Sequence, residues 1–180
     1  MTQLSDLVGT WQIDPAHSAV GFSLKHAMIS TVRGSFGDFA GTIEVTGPTT
    51  AEVKAAIKAD SISTNNEQRD GHLKTSDFFD TATYPEITFV STDVRDIDGD
   101  EFVLVGDLTI RGVTKPVELR TEFAGTQVDA DGLLRAGFEA ATTINRKDFG
   151  LTWNAALDTG GVLVGDRIKI AIDIAAVKQA

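Results

Sequence analysis

Ile168, Ile170, Ile172 and Ile174 stand two residues apart, alternating with Arg167, Lys169, Ala171 and Asp173. β-Branched side chains at that spacing crowd a helix but line up on one face of a pleated strand. The same period recurs along the chain. Val20, Phe22 and Leu24 alternate with Gly21, Ser23 and Lys25; Phe39, Gly41, Ile43 and Val45 alternate with Ala40, Thr42 and Glu44. Val117, Leu119 and Phe123 alternate with Glu118, Arg120 and Glu122. Each run describes a strand with one dry face and one wet face. Ile87 to Val94 and Phe102 to Ile110 carry apolar residues at odd and even positions alike, which predicts strands dry on both faces.

Asp98-Gly99 and Asp131-Gly132 read as turns, and Arg111-Gly112-Val113-Thr114-Lys115-Pro116 as a longer connection. Links this short join antiparallel neighbours, because parallel pairing needs a crossover of about a dozen residues or more. Thr64-Asn65-Asn66-Glu67 has capping-box spacing and opens a short helix that runs through Arg69 and His72, with a break expected at Gly71. Ser76-Asp77-Phe78-Phe79 reads as a second helical turn before Tyr84-Pro85. Thr50 to Asp60 fits either a helix by propensity or a strand by alternation. About eight strands in an open sheet would leave exposed edges, and closure removes them. The expectation is an all-β, antiparallel up-and-down barrel of eight strands with a short helix and a helical turn, in one domain spanning residues 1–180. A barrel of that size either fills with side chains or holds one small ligand. The inward rows mix large residues (Phe22, Phe39, Phe89, Phe102, Phe138) with small ones (Gly41, Gly106, Ala136, Ala140), and pattern alone favours interdigitated packing over a pocket.

Composition narrows the function classes. The chain has 16 Lys and Arg against 26 Asp and Glu, a formal net charge of −10, which argues against nucleic acid as a partner. There is no cysteine, which excludes disulfides and thiolate metal sites. No uncharged apolar run approaches the roughly 18 residues of a membrane-spanning helix. The amino-terminal Met1-Thr2-Gln3-Leu4-Ser5-Asp6-Leu7 lacks the basic and apolar stretches of a signal peptide, so a cytoplasmic location is expected.

Five blocks in order carry a family resemblance. They are Trp11-Gln12-Ile13-Asp14-Pro15-Ala16-His17-Ser18-Ala19-Val20-Gly21-Phe22 with Lys25-His26 and Gly34-Ser35-Phe36; Glu67-Gln68-Arg69-Asp70-Gly71-His72-Leu73-Lys74; Asp77-Phe78-Phe79-Asp80 with Tyr84-Pro85-Glu86-Ile87-Thr88-Phe89; Gly106 to Val117; and Ile144 to Leu151. Together they resemble the YceI-like family of polyisoprenoid-binding, lipocalin-like proteins. The resemblance implies an extended lipocalin-like barrel whose apolar channel holds a polyisoprenoid or related long-chain lipid, such as a prenyl quinone or prenyl phosphate. It also implies a homodimer, favours strand for Thr50 to Asp60, and calls for no cofactor beyond the bound lipid. Many members of that family are periplasmic.

Periodicity nominates Phe22, Leu24, Phe39, Phe89, Leu104, Leu108 and Phe138 as cavity walls, with Leu73, Phe78 and Phe79 as a lid and Phe36 and Trp153 as further ligand contacts. His17 and His26 occupy family positions and are candidates for a head group. Arg146 is a candidate either for a pyrophosphate or quinone oxygen or for a carboxylate of the chain itself, and the structural ion pair is the favoured reading. His17, His26 and His72 lack metal-site spacing. There is no Gly-x-Ser-x-Gly elbow, and Gly160-Gly161 lacks the lysine and helix of a phosphate loop. A non-enzymatic lipid carrier is therefore the leading expectation. The alternatives are an enzyme or accessory factor acting on an isoprenoid, and a filled scaffold with Val90, Val103 and Val105 outward as a protein or dimer face.

Overall fold

Alternation becomes strand wherever it was read. The computed structural model describes residues 4–158 and 160–180, so Met1 to Gln3 of the stretch read for a leader lie outside the described residues. Among the described residues the strands are β1 (Gly9–Ile13), β2 (Ala19–His26), β3 (Ser30–Phe36), β4 (Phe39–Val45), β5 (Ala51–Lys58), β6 (Ile62–Ser63), β7 (Glu86–Asp98), β8 (Glu101–Ile110), β9 (Val113–Val128), β10 (Leu134–Asn145) and β11 (Arg167–Lys178), with one α-helix, α1 (Glu67–Leu73). Every pairing between strands is antiparallel. The order β1-β4-β5-β7-β8-β9-β10-β11 returns to β1 and closes an eight-stranded barrel. β2, β3 and β6 continue the paths of β1, β4 and β5, raising one side of the wall: β11 pairs with β1 through Ala176 to Lys178 and with β2 through Lys169 to Asp173.

The break between β1 and β2 has a local cause. Pro15 has no N–H for a ladder, and Asp14 caps the single 3-10 turn that follows by accepting from the Ala16 N–H at 3.0 Å. The ladder gap this leaves is filled by other groups. The Asp14 N–H donates to the Ala175 carbonyl at 2.8 Å, and the Ser18 hydroxyl oxygen accepts from the Ala175 N–H at 3.0 Å.

Four expectations are corrected. β7 is not dry on both faces: a register shift between Ser91 and Asp93 changes its phase, so that Ile87, Phe89 and Val94 face the same interior while Val90 is exposed. β8 turns Phe102, Leu104, Leu108 and Ile110 inward, and Val103 and Val105 lie partly exposed outside that lining. The connection after β8 is a two-residue turn, Arg111-Gly112, with φ of +51° and +72°, the left-handed pair of a tight hairpin. Helix α1 is capped by Asn66 and not by Thr64, the Asn66 side chain accepting from the Arg69 N–H at 3.0 Å, and it continues through Gly71 to Leu73 without a break; residues 76–79 form the expected turn, with the Phe78 N–H donating to the Thr75 carbonyl at 3.0 Å. Thr50 to Asp60 resolves to strand β5 followed by a 3-10 turn at Ala59–Ser61.

One barrel end is plugged. Leu7, Trp11, Val45, Phe123, Ala136 and Ala176 form a buried cluster there, and the Trp11 indole N–H donates to the Leu7 carbonyl at 2.8 Å. At the β1–β2 break Asp14 joins a surface network: His17 at 2.7 Å and Arg135 at 2.7 Å, with Arg135 also bound to Asp129 at 2.6 Å. The hydrogen bonds from His17 and then Arg135 lower the Asp14 pKa from 3.8 to about 2. A depressed carboxylate contributes stability above its ordinary pKa and loses it as pH falls through its folded value. Asp14→Asn, which keeps the turn cap, is expected to lower the urea midpoint at neutral pH. Its difference from wild type should then shrink steadily between about pH 4 and pH 2. A constant difference across that range would contradict the assignment.

Candidate ligand cavity

Between the plug and α1 the inward rows do not interdigitate. They enclose a cavity of about 770 Å³, toward the large end of the roughly 300–1,000 Å³ typical of small-molecule pockets. Its walls are the inward residues of β1 to β11, mostly aliphatic and aromatic. Backbone carbonyls and N–H groups are spent in the ladders, so the strands present only side chains to the interior.

The structure brings every nominated residue except His17 to this one space. Phe22, Leu24 and His26 come from β2, Phe36 from β3, Phe39 from β4, Phe89 from β7, Leu104 and Leu108 from β8, and Phe138 from β10. Leu73 descends from α1, Phe78 and Phe79 from the turns after it, and Arg146 and Trp153 from the segment after β10. Two glycines widen the wall. A Cβ at Gly34 or Gly106 would overlap the ring of Phe22 or Phe89 respectively, so these rings lie against neighbouring backbone instead of projecting across the barrel.

The lid is an aromatic assembly. Phe36 meets Phe22 at 5.6 Å between centroids and Phe79 edge-on at 5.9 Å; Phe78 lies 5.3 Å from Trp153. His72 packs edge-on against both Phe78 (5.1 Å) and Trp153 (4.8 Å), while its Nε2 is 2.8 Å from Asp77 Oδ2. Arg111 ties the lid to the β8–β9 turn by donating from Nη1 to the Phe78 carbonyl at 2.9 Å.

Arg146 is 4% exposed, and its guanidinium is fully employed by the chain. Nε donates to the Gly165 carbonyl at 2.9 Å, Nη1 to Leu151 and Trp153 carbonyls at 2.7 and 2.9 Å, and Nη2 to the Val164 carbonyl at 3.2 Å and Asp166 Oδ1 at 3.4 Å. Five N–H groups meet five acceptors, which leaves none for a head group. Burial lowers the Arg146 pKa, and the charge of Asp166 opposes that shift. The structural reading of Arg146 therefore holds, widened from one ion pair to a clamp on the whole β10–β11 segment. Asn154 assists: its Oδ1 accepts from the Val164 N–H at 3.0 Å and its Nδ2 donates to the Val164 carbonyl at 2.8 Å.

His17 is corrected outright as a head-group candidate. Its side chain is 68% exposed on the outer surface beside Asp14, away from the cavity lining. Among the described residues no group of three or more His, Asp or Glu side chains is placed to hold a metal ion, and no helix is long and apolar enough to cross a membrane.

Polar groups missed by the sequence reading gather at the mouth. Thr64, Asn66, Gln68 and Arg69 join His26 and His72 on the lining. Thr64 is buried; its N–H and hydroxyl donate to Asp70 Oδ1 at 2.8 and 2.6 Å, and Arg69 donates through Nε to its hydroxyl at 2.7 Å and through Nη2 to its carbonyl at 2.8 Å. Among the described residues Arg69 Nη1 has no acceptor, so it is a buttressed cation with donors to spare. The available signal was Arg69 three residues before His72, one helical turn, which puts both on one face of α1.

A YceI-like domain family model matches residues 11–176. A UPF0312 protein of Staphylococcus aureus (strain MSSA476) is 42% identical over 159 residues, covering 87% of this chain and 90% of that protein. Another, from Photorhabdus laumondii, is 42% identical over 149 residues, covering 81% and 77%. The solved YceI protein of Campylobacter jejuni superposes with a TM-score of 0.74 at 33% identity, covering 93% of this chain and 96% of that one. A polyisoprenoid binding domain from Saccharophagus degradans shares the fold at 16% identity, with a TM-score of 0.71 over 94% and 98% of the two chains. With a family model spanning nearly the whole barrel and close relatives of matching length, the chain belongs to the YceI-like family.

Proposed function

We propose that the protein is a non-enzymatic carrier that sequesters one long-chain isoprenoid lipid, a prenyl quinone or prenyl phosphate, in the barrel. The observation that carries this reading is the cavity of about 770 Å³ with mostly apolar walls, broken along the strands by Thr121 and Thr142, and with a cluster of polar and basic side chains at the α1 end. Such a shape suits an apolar tail with a polar head. The polyisoprenoid binding domain sharing this fold supports the same class of ligand. Each buried CH₂ contributes about 0.8 kcal/mol, so one five-carbon unit gives about 3 to 4 kcal/mol before the costs of ordering the tail. A smooth wall separates tails of similar width poorly, so tolerance among long chains is expected. The head lies at the mouth, where His26, a candidate from the sequence, is joined by Arg69 Nη1 and Gln68 in place of Arg146 and His17.

Solvent extraction of the natively purified protein followed by mass spectrometry tests the reading, with a denatured sample carried through the same columns as control. About one isoprenoid per chain is expected. No enriched lipid, together with no uptake of added prenyl quinones or prenyl phosphates, would overturn it.

A further inference from the structure

The β2–β3 hairpin stands at the cavity mouth and presents its apolar tip to solvent. Met28 is 61% exposed and Ile29 87%. Ala27 and Met28 both have positive φ, +50° and +66°, a conformation that needs external support. That support comes from the β10–β11 segment. The Ala27 N–H donates to the Leu163 carbonyl at 2.7 Å, the Gly165 N–H donates to the Lys25 carbonyl at 2.9 Å, and Met28 packs where a Cβ on Gly161 would stand. Val162, exposed beside them, extends the apolar tip.

The hairpin also departs from the charge of the chain. With a net charge of −10 overall, it has no carboxylate side chain between Asp14 and Asp38, while Lys25 and Arg33 are exposed on its outer face. Asp158 is the one carboxylate in the facing stretch from Leu151 to Val164. On the inner face of the same hairpin Leu24, His26 and Val32 line the cavity, as do Leu163 and Val164 of the supporting segment. An apolar tip flanked by cations is thus continuous with the mouth.

From this continuity and charge we infer that the β2–β3 tip is a docking surface for an anionic lipid bilayer, placing the mouth against the phase from which a water-insoluble ligand must come. This rests on the lipid-carrier reading for its purpose, but not for its test. Ile29 and Met28 would enter the headgroup boundary, and Lys25 and Arg33 would meet lipid phosphates.

The test is co-flotation of the full chain with phosphatidylcholine vesicles, with and without about a third phosphatidylglycerol. Wild type is expected to float with the anionic vesicles, less at high salt, and weakly with neutral ones. Ile29→Asp should lower the bound fraction about tenfold, and Lys25→Glu with Arg33→Glu by at least as much. Val128→Asp, an exposed apolar position (58%) at the opposite barrel end, should leave it unchanged. Melting curves confirm that the variants fold. Absence of wild-type flotation, or flotation of Ile29→Asp equal to wild type, overturns the inference. So does a tip whose mutation splits a dimer in light scattering while wild type ignores vesicles, since the tip would then be a protein contact. Uptake of a prenyl quinone from detergent micelles, which bypasses docking, is measured in parallel: normal uptake without flotation sinks the docking surface alone, and flotation without uptake sinks the carrier reading alone.

Discussion

Arg146→Met is expected to cost about 3 to 5 kcal/mol of folding stability, read as a lowered urea midpoint with the slope unchanged. Methionine keeps the apolar stem but not the guanidinium, so the loss is chiefly of donors, with a small volume loss at the tip. Carbonyls of Leu151, Trp153, Val164 and Gly165 and the Asp166 carboxylate would be left without the guanidinium that now pairs with them. Each buried acceptor left unsatisfied costs about 1 to 3 kcal/mol, and hydration of a relaxed segment recovers part of the sum. Arg146→Lys should recover little, because an ammonium has three donors and no planar fork to span carbonyls from two stretches of chain. The alternative role makes the opposite prediction. Were Arg146 a clamp for a lipid head group, its replacement would lower ligand affinity while folding stayed intact. A folding stability within about 0.5 kcal/mol of wild type would contradict the clamp.

That distinction also marks where the sequence stopped being readable. Period-two alternation located the strands because burial on one face acts residue by residue, and the row Ile168, Ile170, Ile172 and Ile174 all reach the cavity as read. Side-chain direction in β7 was not legible beyond Ser91, because a bulge changes phase without leaving a motif. The broken β1–β2 path was visible only as Asp14-Pro15; that Ala175 would be served there by Ser18 is a pairing across the whole chain. The cavity walls were legible as a set of residues but not as an empty space. Whether Phe22 and Phe89 fill or merely line the barrel depends on their rings lying over Gly34 and Gly106, which come from other strands. Arg146 looked the same whether its partners were carbonyls or a phosphate, since hydrogen-bond acceptors on backbone carry no sequence signature. For the same reason Arg69, held by the backbone and hydroxyl of Thr64, went unrecognised at the mouth.

Emptiness of the barrel can be tested by the sign of one substitution. Ala140 lies on β10 opposite Ile172 of β11 and Thr121 of β9, and it faces the cavity in the same row as Phe138 and Thr142. In a filled core, Ala140→Trp would force neighbours off their rotamers and cost about 1 to 3 kcal/mol or more. In a cavity of about 770 Å³ the indole has room, and it removes its own apolar surface from water for about 1.5 to 3 kcal/mol while supplying contacts that the present walls lack. The delipidated Ala140→Trp protein is therefore expected to melt at the same temperature as delipidated wild type or a few degrees higher. Delipidation matters, because bound ligand stabilises wild type by mass action and would mask the gain. The same indole stands where a tail must lie, so isoprenoid recovered per chain should fall at least tenfold, an affinity loss of about 1.4 kcal/mol or more. Stability and ligand content should thus move in opposite directions. A variant that loses both would show that the barrel was already full. One that keeps its lipid at wild-type stoichiometry would place the ligand elsewhere than in this cavity.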